Sequence, residues 1–325
     1  MPTTIGVLPI TTRATTTAPS PTLPKRSRST RGLPTPTPPR GLADYHKGNH
    51  DRAIADFTKA TGINPRFPHA HYHQGLAEYR KANYDRAIAD FTKAIGIDPG
   101  HALAHYHRGL AEYRKDNYDG AIAAFTKLIA INPRHIEAHY MRGLSYYRGK
   151  AALDQSDYGR AEADFTKAIE FYPQNIPAFI ARGKFYLEKG DHDRAEADFT
   201  KAIDINPQNS VGYLGRGGAY SVKGDHERAI SDLTKAIEID PRNAIAFNNR
   251  AWAYFKAGKA AQGLPDAEQA LQLSPDNTHS LDTRGHIFEA LGRREEAIAD
   301  FRRVLSINPS ILVSREALKR LGAAP

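Results

Sequence analysis

The sequence predicts an all-α fold, an α-solenoid of stacked helix–turn–helix repeats closed by a C-terminal capping helix. Three observations predict it. Pro65, Pro99, Pro133, Pro173, Pro207, Pro241, Pro275 and Pro309 stand 34 residues apart, with a single interval of 40. A fixed period of this length is the signature of repeat architecture. If each period is numbered so that its proline is slot 32, small residues recur at two other slots. Slot 8 is Gly41, Gly75, Gly109, Gly143, Gly183, Gly217, Ala251 and Gly285, and slot 20 is Ala53, Ala87, Ala121, Ala161, Ala195, Ala229, Gly263 and Ala297. Slot 24 is Phe57, Phe91, Phe125, Phe165, Phe199, Leu233, Ala267 and Phe301. Small residues let two helix axes approach closely, and a ring fills the space beside them. Third, the apolar spacing in each period fits one helix over slots 2–14 and another over about 18–29.

Taken in order, residues 1–39 hold eleven threonines, nine of the 21 prolines and no acid, which on composition makes a disordered Pro/Thr/Arg-rich tail. Residues 40–311 are the repeat domain, a half-repeat followed by seven repeats beginning at 68, 102, 136, 176, 210, 244 and 278. The half-repeat is expected to start near Gly41, because Pro34 to Arg40 reads Pro-Thr-Pro-Thr-Pro-Pro-Arg. Inside each repeat a Gly/Asn/Asp turn such as Lys189-Gly190-Asp191 separates the helices, and the slot-32 proline ends the second one. The fourth repeat carries six extra residues, with Gly149 to Asp157 enlarging its turn. In the seventh, Gly263 and Pro265 predict a second helix that starts late or kinks, a weak point over 258–266. Residues 312–325 are the cap, an amphipathic helix from Ile311 to Leu321 with Val313, Ala317 and Leu321 on one stripe and Gly322 as its stop.

The period, the two-helix pattern and the residues at slots 8, 20, 24 and 32 resemble the tetratricopeptide repeat (TPR) family over residues 41–311. That resemblance implies a right-handed superhelix whose concave surface is built from first helices and binds peptide segments of partner proteins. Family members that hold a chaperone's C-terminal carboxylate use Lys at slot 5, Asn at slots 6 and 9, and Lys and Arg at slots 2 and 6. Here the early repeats have Tyr, Leu and His at those slots, so that ligand is not expected.

Helical geometry independently separates two faces. Slots 4, 7, 8 and 11 of a first helix cluster on the side that packs on the second helix, and slots 2, 5, 9, 12 and 13 cluster opposite. In the second to fourth repeats the second face is a ladder of Tyr72, Tyr106 and Tyr140, Leu76, Leu110 and Leu144, Tyr79, Tyr113 and Tyr147, and Arg80, Arg114 and Arg148. Tyrosines offer broad rigid contact area and arginines pair with carboxylates, so the expected partner segment carries apolar and acidic side chains. The ladder stops at Ile180, Lys184, Leu187 and Glu188. Slot 7 is Arg in seven periods and slot 23 Asp in seven, with Gln74 and Ala124 the exceptions, so Arg–Asp pairs are expected to tie helices together.

The formal charge of +9 sits mainly in residues 1–40, which hold six basic side chains; the other 285 residues have 39 basic and 36 acidic ones. The runner-up reading is therefore a factor recruited to nucleic acid or an anionic surface by its basic tail, with nucleic-acid binding by the repeats not expected. With no cysteine there is no disulfide, thiolate or cysteine nucleophile. His69, His71 and His73, and His101 with His105, have helical metal spacing but no third ligand at a matching slot, so no metal is expected. His73 and His107 instead suggest charging below a pKa of about 6.5 that would strengthen capture of an acidic ligand. Residues 143–150 and 215–220 depart from the phosphate-loop patterns. With 41–321 committed to repeats and cap, neither a cofactor nor enzyme activity is expected. No apolar run is long enough to span a bilayer, Ile5 to Ile10 is too short for a secretory core, and a cytoplasmic location is expected.

Overall fold

The computed structural model describes residues 38–149 and 155–324. Nearly all of the expected tail, and residues 150–154 of the expected enlarged turn, lie outside the described residues. Among the described residues the chain forms seventeen α-helices and no strand, and it divides into two compact units between Ala161 and Glu162. Unit one holds α1 (Pro38–His46), α2 (His50–Ile63), α3 (Pro68–Arg80), α4 (Tyr84–Ile97), α5 (Ala102–Arg114), α6 (Tyr118–Ile131), α7 (Ile136–Arg148) and the start of α8 (Gln155–Phe171). Unit two holds the rest of α8 and α9 (Ile176–Lys189), α10 (His192–Ile205), α11 (Ser210–Lys223), α12 (His226–Ile239), α13 (Ala244–Lys256), α14 (Ala260–Leu273), α15 (Thr278–Ala290), α16 (Arg294–Ile307) and α17 (Leu312–Arg320). Within each unit consecutive helices pack on one another, and first helices also touch first helices: α3 with α5, α5 with α7, α9 with α11, α11 with α13 and α13 with α15. The architecture is an α-solenoid in which, within each unit, the odd-numbered helices form a layer.

The helix ends follow from single residues. Each regular second helix stops two residues before its slot-32 proline, and the residue between is extended, as at Asn132 (φ −133°, ψ 92°) and Asn206 (φ −139°, ψ 98°), because the proline ring excludes helical geometry there. Two residues past the proline comes the cap of the next first helix. Asn175, Asn209, Asn243 and Asn277 each accept the backbone N–H three residues on, at 2.8–3.2 Å. His101 and His135 do the same through Nδ1, at 3.3 and 3.2 Å from the amides of Ala104 and Ala138. Outside the fourth repeat, the turn between a repeat's two helices holds one left-handed residue, and glycine supplies it at Gly48, Gly190, Gly224, Gly258 and Gly292. The second and third repeats place Ala82 (φ 60°) and Asp116 (φ 56°) there instead.

The core repeats one contact. A Cβ on Gly75, Gly109 or Gly285 would stand 2.7 Å from the rings of Phe91, Phe125 and Phe301, all completely buried. First and second helices thus meet with the glycine backbone lying on the phenylalanine. The seventh repeat solves the same problem differently. Ala251 is tolerated at slot 8 because slot 24 is Ala267, and the lost ring volume is recovered by closer approach: a Cβ on Gly263 would meet the Ala251 carbonyl oxygen at 2.8 Å.

Four local expectations need correction. Helix α14 begins at Ala260, in register with the other second helices, although Pro265 lies inside it; the missing donor removes one helical hydrogen bond while the close seat of Gly263 on α13 holds the helix in place. Helix α1 begins at Pro38, ahead of Gly41, since prolines in a first turn lose no helical hydrogen bond. Helix α8 takes in Gln155 to Asp157, so these residues are helical rather than part of an enlarged turn. In α17 the inward stripe is Ser314, Ala317 and Leu318, while Val313 is 40% exposed. Ser314 Oγ donates to Asp282 at 2.7 Å, which seats a polar residue where the apolar pattern alone placed Val313.

Ala82→Gly should raise stability by roughly 0.5–1 kcal/mol in denaturant unfolding, the relief of a left-handed alanine less the entropy glycine adds to the unfolded chain. Gly109→Ala should lower it by about 1–3 kcal/mol in the same measurement, because the Phe125 ring cannot retreat from a methyl group without repacking.

Candidate interaction face

The face opposite the helix-pair contact is the docking face the sequence suggests, and the structure exposes its ladder residues unequally. Tyr72 is only 6% exposed, with its ring centroid 5.9 Å from Phe91 and 4.9 Å from His101, and its hydroxyl 3.3 Å from His107 Nδ1. Tyr106 is half-buried and stacks on His135 at 5.5 Å. The slot-5 tyrosines of the second and third repeats therefore lie against the next repeat's imidazoles instead of standing free. Leu144 and Tyr147 are also buried, at 6% and 7% exposure. Tyr72, Leu144 and Tyr147 accordingly leave the expected groove lining, because each is consumed by packing. Leu76, Leu110, Tyr79, Tyr113 and Tyr140 keep part of their surface. Burial pushes the Tyr106 phenol up to about 12, helped by Glu137, so it stays a neutral donor at physiological pH.

The arginines differ in a way that sequence did not reveal. A slot-13 arginine reaches back to the slot-12 tyrosine of the preceding repeat: Arg80 Nε donates to Tyr45 Oη at 3.2 Å, and the Arg148 guanidinium sits 5.8 Å from the Tyr113 ring centroid. Arg114 is exposed and has no hydrogen-bond, ion-pair or ring partner among the described residues. It is the uncommitted cation of the ladder.

Behind this face the expected clamps are present. Arg182, Arg216 and Arg250 each donate Nε and a terminal nitrogen to both oxygens of Asp198, Asp232 and Asp266 at 2.7–2.9 Å, and their other terminal nitrogen to a threonine of the preceding repeat at 2.8–3.2 Å. Arg284 grips Asp300 at 2.7 Å through both bonds, and Arg40 lies 3.2 Å from Asp56. Each clamp joins the two helices of a repeat, and those of Arg182, Arg216 and Arg250 also tie in the repeat before through a threonine. The two exceptions leave half-pairs. Asp90, facing Gln74, turns to Lys93 at 3.2 Å, while Arg108, facing Ala124, has no slot-23 carboxylate to grip; burial lowers its pKa, and Glu112 on its own helix offsets only part of that.

The histidines are committed to structure. Nε2 of His71, His105 and His139 lies 3.0 Å from the carbonyl oxygen of Pro65, Pro99 and Pro133, one tie per repeat joint. Among the described residues no group of three or more His, Cys, Asp or Glu is placed to hold a metal. Burial, with His69, His101, His46 and His107 nearby, depresses His73 to about 4, and burial also lowers His107. Neither ring therefore charges near pH 6.5 to aid acidic-ligand capture as the sequence suggested. Sequence reading also passed over an aromatic group in unit two. Trp252, Phe255 and His286 lie with centroids 5.2–5.9 Å apart, and Lys256 stands 5.8 Å over the indole. The lone tryptophan at a slot-9 position was the available signal, hidden because the degenerate repeat breaks the ladder.

Comparison with known proteins agrees with this geometry. Tetratricopeptide repeat models match residues 39–102, 74–136, 106–151 and 146–210, and further repeat models of that kind match 217–258 and 278–311. The chain belongs to the tetratricopeptide repeat family. Among solved structures, a tetratricopeptide repeat protein from Parabacteroides merdae is 21% identical over 78% of this chain and 98% of its own, with a TM-score of 0.62. The APC/C hetero-tetramer Cut9-Hcn1 is 15% identical over 87% of this chain and 54% of that chain, with a TM-score of 0.62. At these identities the likeness is one of fold. No curated protein sequence matches the chain. No described helix of this TPR protein is long and apolar enough to cross a membrane.

If the slot-7 arginine and slot-23 aspartate are one clamp, Ala124→Asp should complete it opposite Arg108 and raise the unfolding midpoint. The gain should be roughly 1 kcal/mol, less than a fully buried pair commands because Arg108 is partly solvated.

Proposed function

We propose that this TPR chain is a non-catalytic scaffold that docks an extended or helical segment of a partner protein on the inner, first-helix face of unit one. The observation that carries the reading is Arg114, an exposed guanidinium with no hydrogen bond or ion pair among the described residues, on a face where Tyr79, Leu110 and Tyr113 keep part of their surface open. By register, Arg114 follows Tyr79 as Arg80 follows Tyr45 and Arg148 follows Tyr113. The segment best suited to this surface pairs an apolar anchor for the tyrosines and leucines with an acidic residue for Arg114. Neutral phenols, an amphipathic aromatic body and a free arginine are the groups that dominate binding energy at protein interfaces. The family's use of its repeats as protein-docking surfaces supports the reading.

Full-length protein screened against a panel of acidic–apolar peptides should show binding that Arg114→Glu weakens at least tenfold, about the worth of one charge-assisted hydrogen bond. The unfolding midpoint should not move, since Arg114 supports nothing. Tyr106→Ala with Arg114→Ala should remove capture altogether; binding that survives both variants unchanged would place the docking surface elsewhere.

A further inference from the structure

The imidazoles around α5 occupy positions that only a neutral ring fills well. His101 caps α5 by accepting the Ala104 amide through Nδ1 at 3.3 Å, and its Nε2 is buried without a hydrogen-bond partner. A protonated ring has no lone pair for that amide, and it sets a positive charge against the positive end of the helix dipole. One turn on, His105 Nε2 faces the Pro99 carbonyl oxygen at 3.0 Å, so Nε2 carries the hydrogen, and Nδ1 is buried with no partner. A second proton would be an orphan donor inside the joint. His107 directs Nδ1 to the Leu103 carbonyl oxygen at 2.9 Å.

The surroundings offer little compensation. From α3 come His69, which faces His101, and His73; Arg80 at the end of α3 faces His107, and His46 of α1 faces His73. Arg108 on α5 and Lys127 on α6 face His105, and the opposing carboxylate is Asp98 in the α4–α5 turn. Burial lowers the pKa of His101, His105 and His107. His135 caps α7 in the same manner, but Glu137 lies 3.4 Å from its Nδ1 and offsets a charge there. Unit two lacks the arrangement. Its caps are Asn175, Asn209, Asn243 and Asn277, its slot-4 residues are Phe179, Tyr213, Phe247 and Leu281, and His286 sits between Asp282 and Glu289 at 3.6 Å from each.

We propose that the joint between the second and third repeats, α3 and α4 against α5, is an acid-released hinge: protonation of His101 removes the acceptor that caps α5, and protonation of His105 keeps its bond to Pro99 but adds an unpaired N–H and a charge inside the joint, so the start of α5 opens while the joints of unit two stay closed. The direction follows from linkage. Folded-state values below the free imidazole value of about 6.5 mean that the opened form takes up protons the closed form cannot. The joint is at full strength above that pH and weakens as pH falls from there toward the folded values.

Hydrogen exchange read by mass spectrometry on the full chain at pH 7.5 and 5.0, corrected for intrinsic exchange, tests this. Peptides covering residues 99–107 should lose protection at pH 5.0 by clearly more than twofold, while peptides of α11 and α13 keep theirs. His101→Asn and His105→Phe use residues that unit two carries at the same slots, so the double variant should stay folded and lose the pH dependence; His101→Asn alone should lose part of it. Equal loss of protection in α11 and α13, or an unchanged pH effect in the double variant, would overturn the hinge.

Discussion

The contact on which the rest of the molecule depends is a backbone laid on a ring. With no Cβ at slot 8, a first helix can approach the second until the slot-24 phenylalanine touches its main chain. That distance sets how deeply a repeat's two helices interlock, and so where the slot-7 arginine and slot-23 aspartate stand relative to each other. The clamp can then form as two parallel hydrogen bonds, a geometry that tolerates little error. Where Ala251 and Ala267 replace the glycine and ring, the clamp of Arg250 and Asp266 is nonetheless intact. The seventh repeat has kept the spacing by a different choice of side chains.

The two units use the same slots with different chemistry. In unit two the same tasks are done without imidazoles: asparagine caps, carboxylate–guanidinium clamps, apolar or phenolic slot-4 residues. In unit one, imidazoles take the cap at His101 and His135 and the slot-4 tie at His71, His105 and His139. They perform the same geometric tasks, accepting one amide or donating to one carbonyl, so the fold does not distinguish them. Protonation does, since an amide has one hydrogen-bonding state near neutral pH and an imidazole has two.

Much of the architecture was legible from residue type at fixed intervals. The slot-32 proline dictated where second helices stop because its effect is local to one peptide bond, and the small–small–ring pattern announced the helix pair because close packing has few solutions. Other features were legible only in part. The apolar pattern puts Val313 on the packing stripe of the cap and passes over Ser314, since an apolar count cannot see that Asp282 offers a serine a hydrogen bond. Tyr72 was read as ligand-facing, since the helical wheel of one helix does not show that the next repeat brings His101 and His107 against the same face. The uncommitted state of Arg114 had no sequence signal at all, because Arg80, Arg114 and Arg148 are one residue type at one slot.

By itself, then, the sequence determined the period, the helices, their caps and stops, and which faces of each repeat meet. These are consequences of steric and hydrogen-bonding preferences acting within about one repeat. Tertiary structure alone decided which of the remaining side chains are spent and which are free. That outcome turns on contacts between residues some thirty positions apart, such as Arg80 on Tyr45 and Tyr72 against His107. Each depends on how the stacked layer brings one repeat against the next, a distance that no local preference encodes.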